Sequence, residues 1–248
     1  MKIQIEQSCS VEGKVAVVTG ASENLGKAII LGLARSKVIT YGTGFFLNMP
    51  YESANNQTYV HCDVEDPMAF KYLCMNLSAR HNNVDILINA VEIDTASISI
   101  DANKSNKPNL QQIIERKLTI AYSVSKIAAE IMKNSGIGSI INAIAIRNAI
   151  GFPHDFSYIA TKNALLISTR KLAIDLIKDN IRVNNIVLGC LPEEPNHDSS
   201  KSDCYHNLFD SIMFLVSPDS GSITGQDIFI LGNSPTERKP CRTLSTYH

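Results

Sequence analysis

Short runs of β-branched and aliphatic residues recur along this chain, and a stretch with helical spacing follows most of them. Val15 to Thr19 leads through a loop into the apolar helical stretch Leu25 to Ala34. Val38 to Thr40, Tyr59 to Cys62 and Asp85 to Asn89 read as further strands. A long helical pattern covers Leu110 to Lys133, Ser139 to Ala143 is strand-like, and Ser157 to Lys178 is helical again. Arg182 to Leu188 and Asp227 to Leu231 close the series. Strands that are apolar throughout, rather than alternating, are buried on both faces. Separated by helices, they predict a parallel sheet with helices on both sides, the doubly wound α/β class. Ligands of such sheets bind beyond the carboxyl ends of the strands, so motifs located there carry the most information.

Composition agrees with one such domain and narrows the function. A chain of 248 residues, 44% of them hydrophobic, closes a core without a disulfide or a metal. The 23 basic and 24 acidic side chains leave a formal charge of −1, so no nucleic-acid partner is expected. No run approaches ~18 apolar residues, so no membrane span is expected. The first residues, MKIQIEQSCSVEGK, lack the apolar core of a signal peptide, and the last four, Ser-Thr-Tyr-His, are no organelle address. An intracellular, cytoplasmic protein is therefore expected. The six cysteines form no CxxC pair, the six histidines form no i, i+4 pair, and no metal site is expected. His197, Asp198, Cys204 and His206 read as a solvated polar loop. No GxSxG elbow is present, which excludes an α/β-hydrolase.

The first strand ends in Thr19-Gly20-Ala21-Ser22-Glu23-Asn24-Leu25-Gly26, which opens a helix. Backbone N–H groups and the helix dipole make such a turn a seat for a pyrophosphate. Gly20 would permit the tight turn and Gly26 the close helix packing. Taken alone, the same residues also suit a plain structural turn. Further on, Tyr158 and Lys162 stand four residues apart in a helical pattern and so share a face. An ammonium about 4 Å from a phenol favours the phenolate by roughly 4 kcal/mol at an effective dielectric near 20. That corresponds to on the order of three pKa units below the ordinary value near ~10. The pair therefore suits proton transfer to or from a carbonyl or hydroxyl. By itself, Tyr-x3-Lys also occurs on ordinary solvated helix faces.

Together these segments resemble the short-chain dehydrogenase/reductase family. Within it the pattern is similar to the 3-oxoacyl-[acyl-carrier-protein] reductases and related carbonyl reductases. The resemblance runs from Gly13 to Gly232. Thr19 to Gly26 resembles TGxxxGxG, Asp85 to Asn89 with Ala90 resembles DILVNNAG, and Tyr158 with Lys162 matches YxxxK. Ile181 to Asn185 matches IRVNxV, and Ile223-Thr224-Gly225-Gln226 matches the ITGQ before the last strand. The resemblance implies a single Rossmann-like domain, 1–233, followed by a polar tail, 234–248. It implies an NAD(P)-dependent oxidoreductase moving hydride between nicotinamide and a carbonyl or secondary alcohol of a small-molecule substrate. Tyr158 would be the acid–base, and Lys162 would hold the ribose and lower the Tyr158 pKa. Gly20, Ser22, Asn24, Leu25 and Gly26 would meet the dinucleotide in the turn. Asp63 and Val64 would meet it after the third strand, Asn89 and Ala90 after the fourth, and Gly189 and Leu191 after the sixth. A homodimer or homotetramer is implied as well, the helix Leu118 to Met132 helping to form it.

Several positions depart from the family pattern. The middle glycine of the turn is Asn24, and NNAG has become Asn89-Ala90-Val91-Glu92. The family serine, 13 residues before the tyrosine, is Ala145, and the family asparagine that holds a relay water is Lys117. Loss of one oxyanion-type donor costs about 10²–10³ in rate. Glu193 replaces a threonine near the pyrophosphate, and the substrate loop near 190–207 is shortened. Two readings follow: an active divergent reductase, or a weak or inactive relative serving as a nucleotide-binding or structural subunit of a hetero-oligomer. The second strand ends Thr40-Tyr41-Gly42 with no acid for an adenine-ribose hydroxyl, while Glu23 would repel a 2′-phosphate. The balance leans slightly to NADP, on the family relatives.

Overall fold

The computed structural model describes residues 11–22, 24–44, 56–90, 110–145, 156–188 and 202–230, apart from the side chains of 110–117, 145, 156–162 and 202–204. In chain order the elements are β1 (Val15–Thr19), α1 (Asn24–Arg35), β2 (Ile39–Gly44), β3 (Gln57–His61), α2 (Pro67–His81), β4 (Ile86–Asn89) and α3 (Leu110–Met132). There follow β5 (Gly138–Ala145), α4 (Phe156–Leu176), β6 (Ile181–Leu188), α5 (Ser202–Val216) and β7 (Asp227–Ile230). All seven strands pair in parallel, in the order β3-β2-β1-β4-β5-β6-β7. The order reverses at β1 and β4, which opens a crevice between their carboxyl ends. No described helix is long and apolar enough to cross a membrane.

Alternate residues of each strand feed two cores, because successive side chains point to opposite faces. Ala16, Val18, Ile86, Ile88, Ile141 and Ile186 meet Leu25, Ile29 and Leu33 of α1 and Leu208, Ile212 and Leu215 of α5. Val15, Val17, Leu87, Ile140 and Val183 meet Phe70 of α2, Val124 and Ala128 of α3, and Leu172 and Leu176 of α4. Each fully buried aliphatic side chain contributes about 1.5–3 kcal/mol. On the α1/α5 side the helices approach closely, and a Cβ on Gly32 would lie 2.3 Å from the Phe209 ring.

Three elements differ from the sequence expectation. The second strand runs to Gly44 rather than stopping at Gly42, with Thr43 opposite Thr19 in register. The glycines there are demanded by packing and do not mark a turn. A Cβ on Gly42 would lie 2.4 Å from Ile30 and 2.7 Å from Ala21, and one on Gly44 would lie 2.8 Å from Ser22 Oγ. The helix α2 was not anticipated. Asp66 caps it by accepting from Met68 N at 2.8 Å, Pro67 opens its first turn, and Asn82 ends it with φ 68°. Helix α5 begins at Ser202, so Cys204 and His206 belong to a helix, where His206 Nε2 lies 3.5 Å from Asp210 one turn on. His197 and Asp198 lie outside the described residues, as does the tail 234–248.

Candidate dinucleotide site

The turn after β1 is built by two glycines with different tasks. Gly20 has φ 71°, a left-handed conformation that only glycine adopts without strain. It turns the chain so that Ala21 N donates to Thr43 O at 2.9 Å, tying the turn to the end of β2. A Cβ on Gly26 would sit 2.2 Å from Gly20 O and 2.9 Å from Ala21 Cα, so the first turn of α1 closes onto the peptide it follows. Leu25 is buried in the core, and Asn24 and Ser22 lie at the surface of the turn. The turn thus brings the start of a twelve-residue helix to the carboxyl edge of the sheet. The N–H groups of a helix's first turn have no partner within the helix, and with the helix dipole they favour an anion there. Glu23 lies outside the described residues.

Asp63 and Val64 follow β3. Asp63 Oδ1 accepts from Glu65 N at 2.9 Å, an Asx turn that leads towards α2, and Val64 is buried against Phe70 in the second core. Burial, with Asp63 and Asp66 close by, pushes the Cys62 thiol up to about 11. Thr43 Oγ1, at the end of β2, is buried and has no hydrogen-bond partner among the described residues. It reaches the carboxyl edge because β2 runs on to Gly44, two residues past the Gly42 at which the sequence reading ends the strand.

Asn89 ends β4, and its side chain is committed inside the protein. Its amide nitrogen donates to Ser125 Oγ at 3.0 Å and to Asn142 Oδ1 at 2.8 Å. Its Oδ1 accepts from Thr19 Oγ1 at 3.3 Å. This belongs to a polar row, Thr19, Asn89, Asn142, Asn185 and Asp227, whose members are successive register partners across β1, β4, β5, β6 and β7. Asn142 Nδ2 donates to Thr169 Oγ1 of α4 at 2.8 Å, and Thr169 donates to Asn185 Oδ1 at 2.7 Å. Asn185 Nδ2 donates to Asp227 Oδ1 at 2.7 Å, and Arg170 closes the row on Asp227 Oδ2 at 2.6 Å. Every buried amide in the row is paired, as burial of polar groups requires. The row stands where β1 and β4 end, one residue below Gly20 and Ala90. The signal was present in the sequence, as a polar residue closing each apolar run, but it identified no partners until the strands were in register.

The remaining site residues are placed by their elements. Ala145 is the last residue of β5, in register with Leu188 at the end of β6. Tyr158 and Lys162 lie in the first two turns of α4, and Lys117 lies on α3. The side chains of Ala145, Tyr158, Lys162 and Lys117 are outside the described residues, as are Gly189, Leu191 and Glu193 altogether. Ala90, buried, donates its N–H to Thr19 O at 3.3 Å, which keeps the two strand ends level. Among the described residues no group of three potential metal ligands occurs.

Residues 14–203 match the family described as short chain dehydrogenase. The chain belongs to the short chain dehydrogenase family. Membership accounts for the strand order, the Rossmann-like turn and the crevice, and places the chain among oxidoreductases. It is 25% identical to the 3-oxoacyl-[acyl-carrier-protein] reductase of Salmonella typhimurium over 90% of this chain and 98% of that protein. It is 23% identical to glucose 1-dehydrogenase 2 of Bacillus subtilis over 89% of this chain and 94% of that one. A short-chain dehydrogenase/reductase structure from Burkholderia xenovorans superposes with a TM-score of 0.74 at 25% identity, covering 90% of this chain and 96% of that one. A short chain dehydrogenase from Leptospira borgpetersenii, solved with bound NAD+, shares the fold at a TM-score of 0.73 and 20% identity, covering 89% of this chain and 92% of that one.

Proposed function

We propose that this short chain dehydrogenase is an NAD(P)-dependent oxidoreductase that moves hydride between nicotinamide and a carbonyl or secondary alcohol. The observation that carries the reading is the turn Gly20–Gly26, whose two glycines fit it to a pyrophosphate and whose helix opens on the crevice between β1 and β4. When bound, the dinucleotide supplies the hydride. Gly20, Ser22, Asn24, Leu25 and Gly26 offer it N–H groups and a positive helix end. Asp63 and Val64 border the adenine side of the edge, Asn89 and Ala90 border its middle, and Gly189 and Leu191 follow β6. Tyr158 passes the proton to or from the substrate oxygen, and Lys162 keeps the phenol acidic enough to do so near neutral pH. The slight preference for NADP rests on the family pattern and on the lack of an acidic side chain through Gly44 on β2.

Ala145 favours a second reading. A methyl group stands where the family pattern has the serine, so one donor to the substrate oxygen is gone at the end of β5. In that reading the protein binds the dinucleotide but turns over slowly or not at all, and serves as a subunit beside an active relative. Carbonyl reduction measured in the parent, in Tyr158→Phe and in Ala145→Ser separates the two. The active reading predicts turnover that disappears in Tyr158→Phe. The subunit reading predicts little turnover in the parent and a gain of about 10²-fold in Ala145→Ser. Activity that survives Tyr158→Phe contradicts the Tyr158/Lys162 mechanism.

Self-association completes the proposal. Ile167 and Ile174 of α4 are 64% and 72% exposed and lie seven residues apart, on one outward stripe. The outward residues of the neighbouring α3 include Tyr122, Lys126 and Glu130, with the Lys126 ammonium 5.7 Å from the Tyr122 ring centre. A second copy covering α4 would bury the isoleucines and keep the polar residues of α3 at the rim.

A further inference from the structure

We infer that Thr169 is a positioning residue that sets the rotation of α4, and with it the aim of Tyr158 and Lys162. The inference rests on those two residues being the acid–base pair. Thr169 lies seven residues after Lys162 and eleven after Tyr158. These separations are close to two and three helical turns, so the three positions share one stripe of α4. Thr169 is completely buried, and its hydroxyl is held from two strands at once. Asn142 Nδ2 on β5 donates to it at 2.8 Å, and it donates to Asn185 Oδ1 on β6 at 2.7 Å. One hydroxyl engaged on both sides fixes the helix against rotation in either direction, because turning it lengthens one bond or the other.

The strands that hold the peg are themselves held. Asn142 is tied through Asn89 to Thr19, directly before the dinucleotide turn, and Asn185 is tied to Asp227. From Thr19 to Asp227 every donor points the same way along the row, so no member can reverse without leaving a neighbour unpaired. The acid–base stripe of α4 and the turn of β1 are thereby referred to one rigid row. The backbone offers the Thr169 hydroxyl an alternative, Leu165 O at 3.1 Å, but that bond stays within α4 and fixes nothing relative to the sheet. Ser125 Oγ, accepting from Asn89 at 3.0 Å, ties α3 to the same row.

The test needs no substrate. NADPH binding to the full-length protein is followed by nicotinamide fluorescence in the parent, Thr169→Val, Thr169→Ser, Lys162→Met and the double variant of Thr169→Val with Lys162→Met. A turned α4 carries Tyr158 and Lys162 together relative to the sheet, so Thr169→Val is expected to weaken binding about tenfold, roughly the worth of one hydrogen bond from a charged group to the ribose. Thr169→Ser, which restores the hydroxyl, is expected to bind like the parent. In the Lys162→Met background Thr169→Val is expected to weaken binding no further, because the contact it misaims is already gone. A folded Thr169→Val with parental affinity overturns the inference, even if its melting temperature falls. A loss that persists in the Lys162→Met background overturns it too, because a merely structural role would act without Lys162. If Thr169→Val does not fold, Asn185→Ser, which withdraws one of the two holds, should weaken binding in the same sense, and no loss there overturns the inference. A Lys162→Met that binds like the parent overturns the role of the pair and the positioning role together, and shows without any change at Thr169.

Discussion

Gly26 is where a single atom decides the site. A β-carbon there would press within 2.2 Å of Gly20 O, so Gly26→Ala must push α1 away from the turn. The expected cost is about 1–3 kcal/mol of stability, measured by urea unfolding, together with loss of dinucleotide affinity. A Gly26→Ala protein with parental stability and affinity would contradict the close approach described. The close packing at Gly26 was legible in the sequence, where Gly26 opens a helix six residues after Gly20, although the same glycines taken alone also suit a plain structural turn. The side-chain commitments of Asn89 were not legible, because its partners Asn142 and Ser125 are more than thirty residues away and meet it only through strand register. A second prediction at this scale concerns two thiols. Burial holds Cys62 up at about 11 and Cys74 up at about 12, against an ordinary 9.0. Folding therefore keeps protons that the unfolded chain releases. That contribution is complete below the unfolded value of 9.0 and is lost as pH rises through about 11 and 12. Urea midpoints should fall between about pH 8 and about pH 10.5, and less steeply in Cys74→Ala.

Helix α2 shows why one element escaped the periodicity. Phe70, Cys74 and Leu77 form its buried face, while Met68, Tyr72 and Met75 place a second apolar stripe on the opposite, exposed side. Apolar residues on both sides leave no contrast between faces, and the helical period disappears from the pattern. The local signals at its ends were nonetheless present, in the Asp66-Pro67 start and the Asn82 stop. The account predicts that Asp66→Ala costs about 1 kcal/mol through loss of the cap. Phe70→Ala should cost about 3–5 kcal/mol through the cavity it leaves. Tyr72→Lys should stay within about 0.5 kcal/mol of the parent. Urea unfolding of the three variants checks the ranking, and a large loss in Tyr72→Lys would show that the outer stripe is covered. Helix α5 was obscured differently. Its apolar residues Leu208, Ile212, Leu215 and Val216 are regularly spaced, but its first turns, Ser202 to Asn207, are polar and read as loop.

At the scale of the molecule, the parallel sheet with helices on both faces followed from the alternation of apolar strands and helices, whereas the strand order and the crevice at β1 and β4 come from the strand pairing. The extension of β2 and the start of α5 did not follow: Gly42 packs on Ile30 of α1, Gly44 on Ser22 of the turn before it, and the Phe209 ring of α5 on Gly32 of α1. Self-association belongs to this scale as well. Ile174→Lys should shift the protein to a smaller species by light scattering after gel filtration, and an unchanged mass would contradict burial of α4 between copies. The central claim, a short chain dehydrogenase site that holds a nicotinamide dinucleotide at the Gly20–Gly26 turn, is tested most directly by titrating NADPH and NADH into the parent protein and following nicotinamide fluorescence. The account predicts saturable binding, slightly tighter for NADPH, and its loss in Gly26→Ala. Absence of binding by either dinucleotide would contradict it.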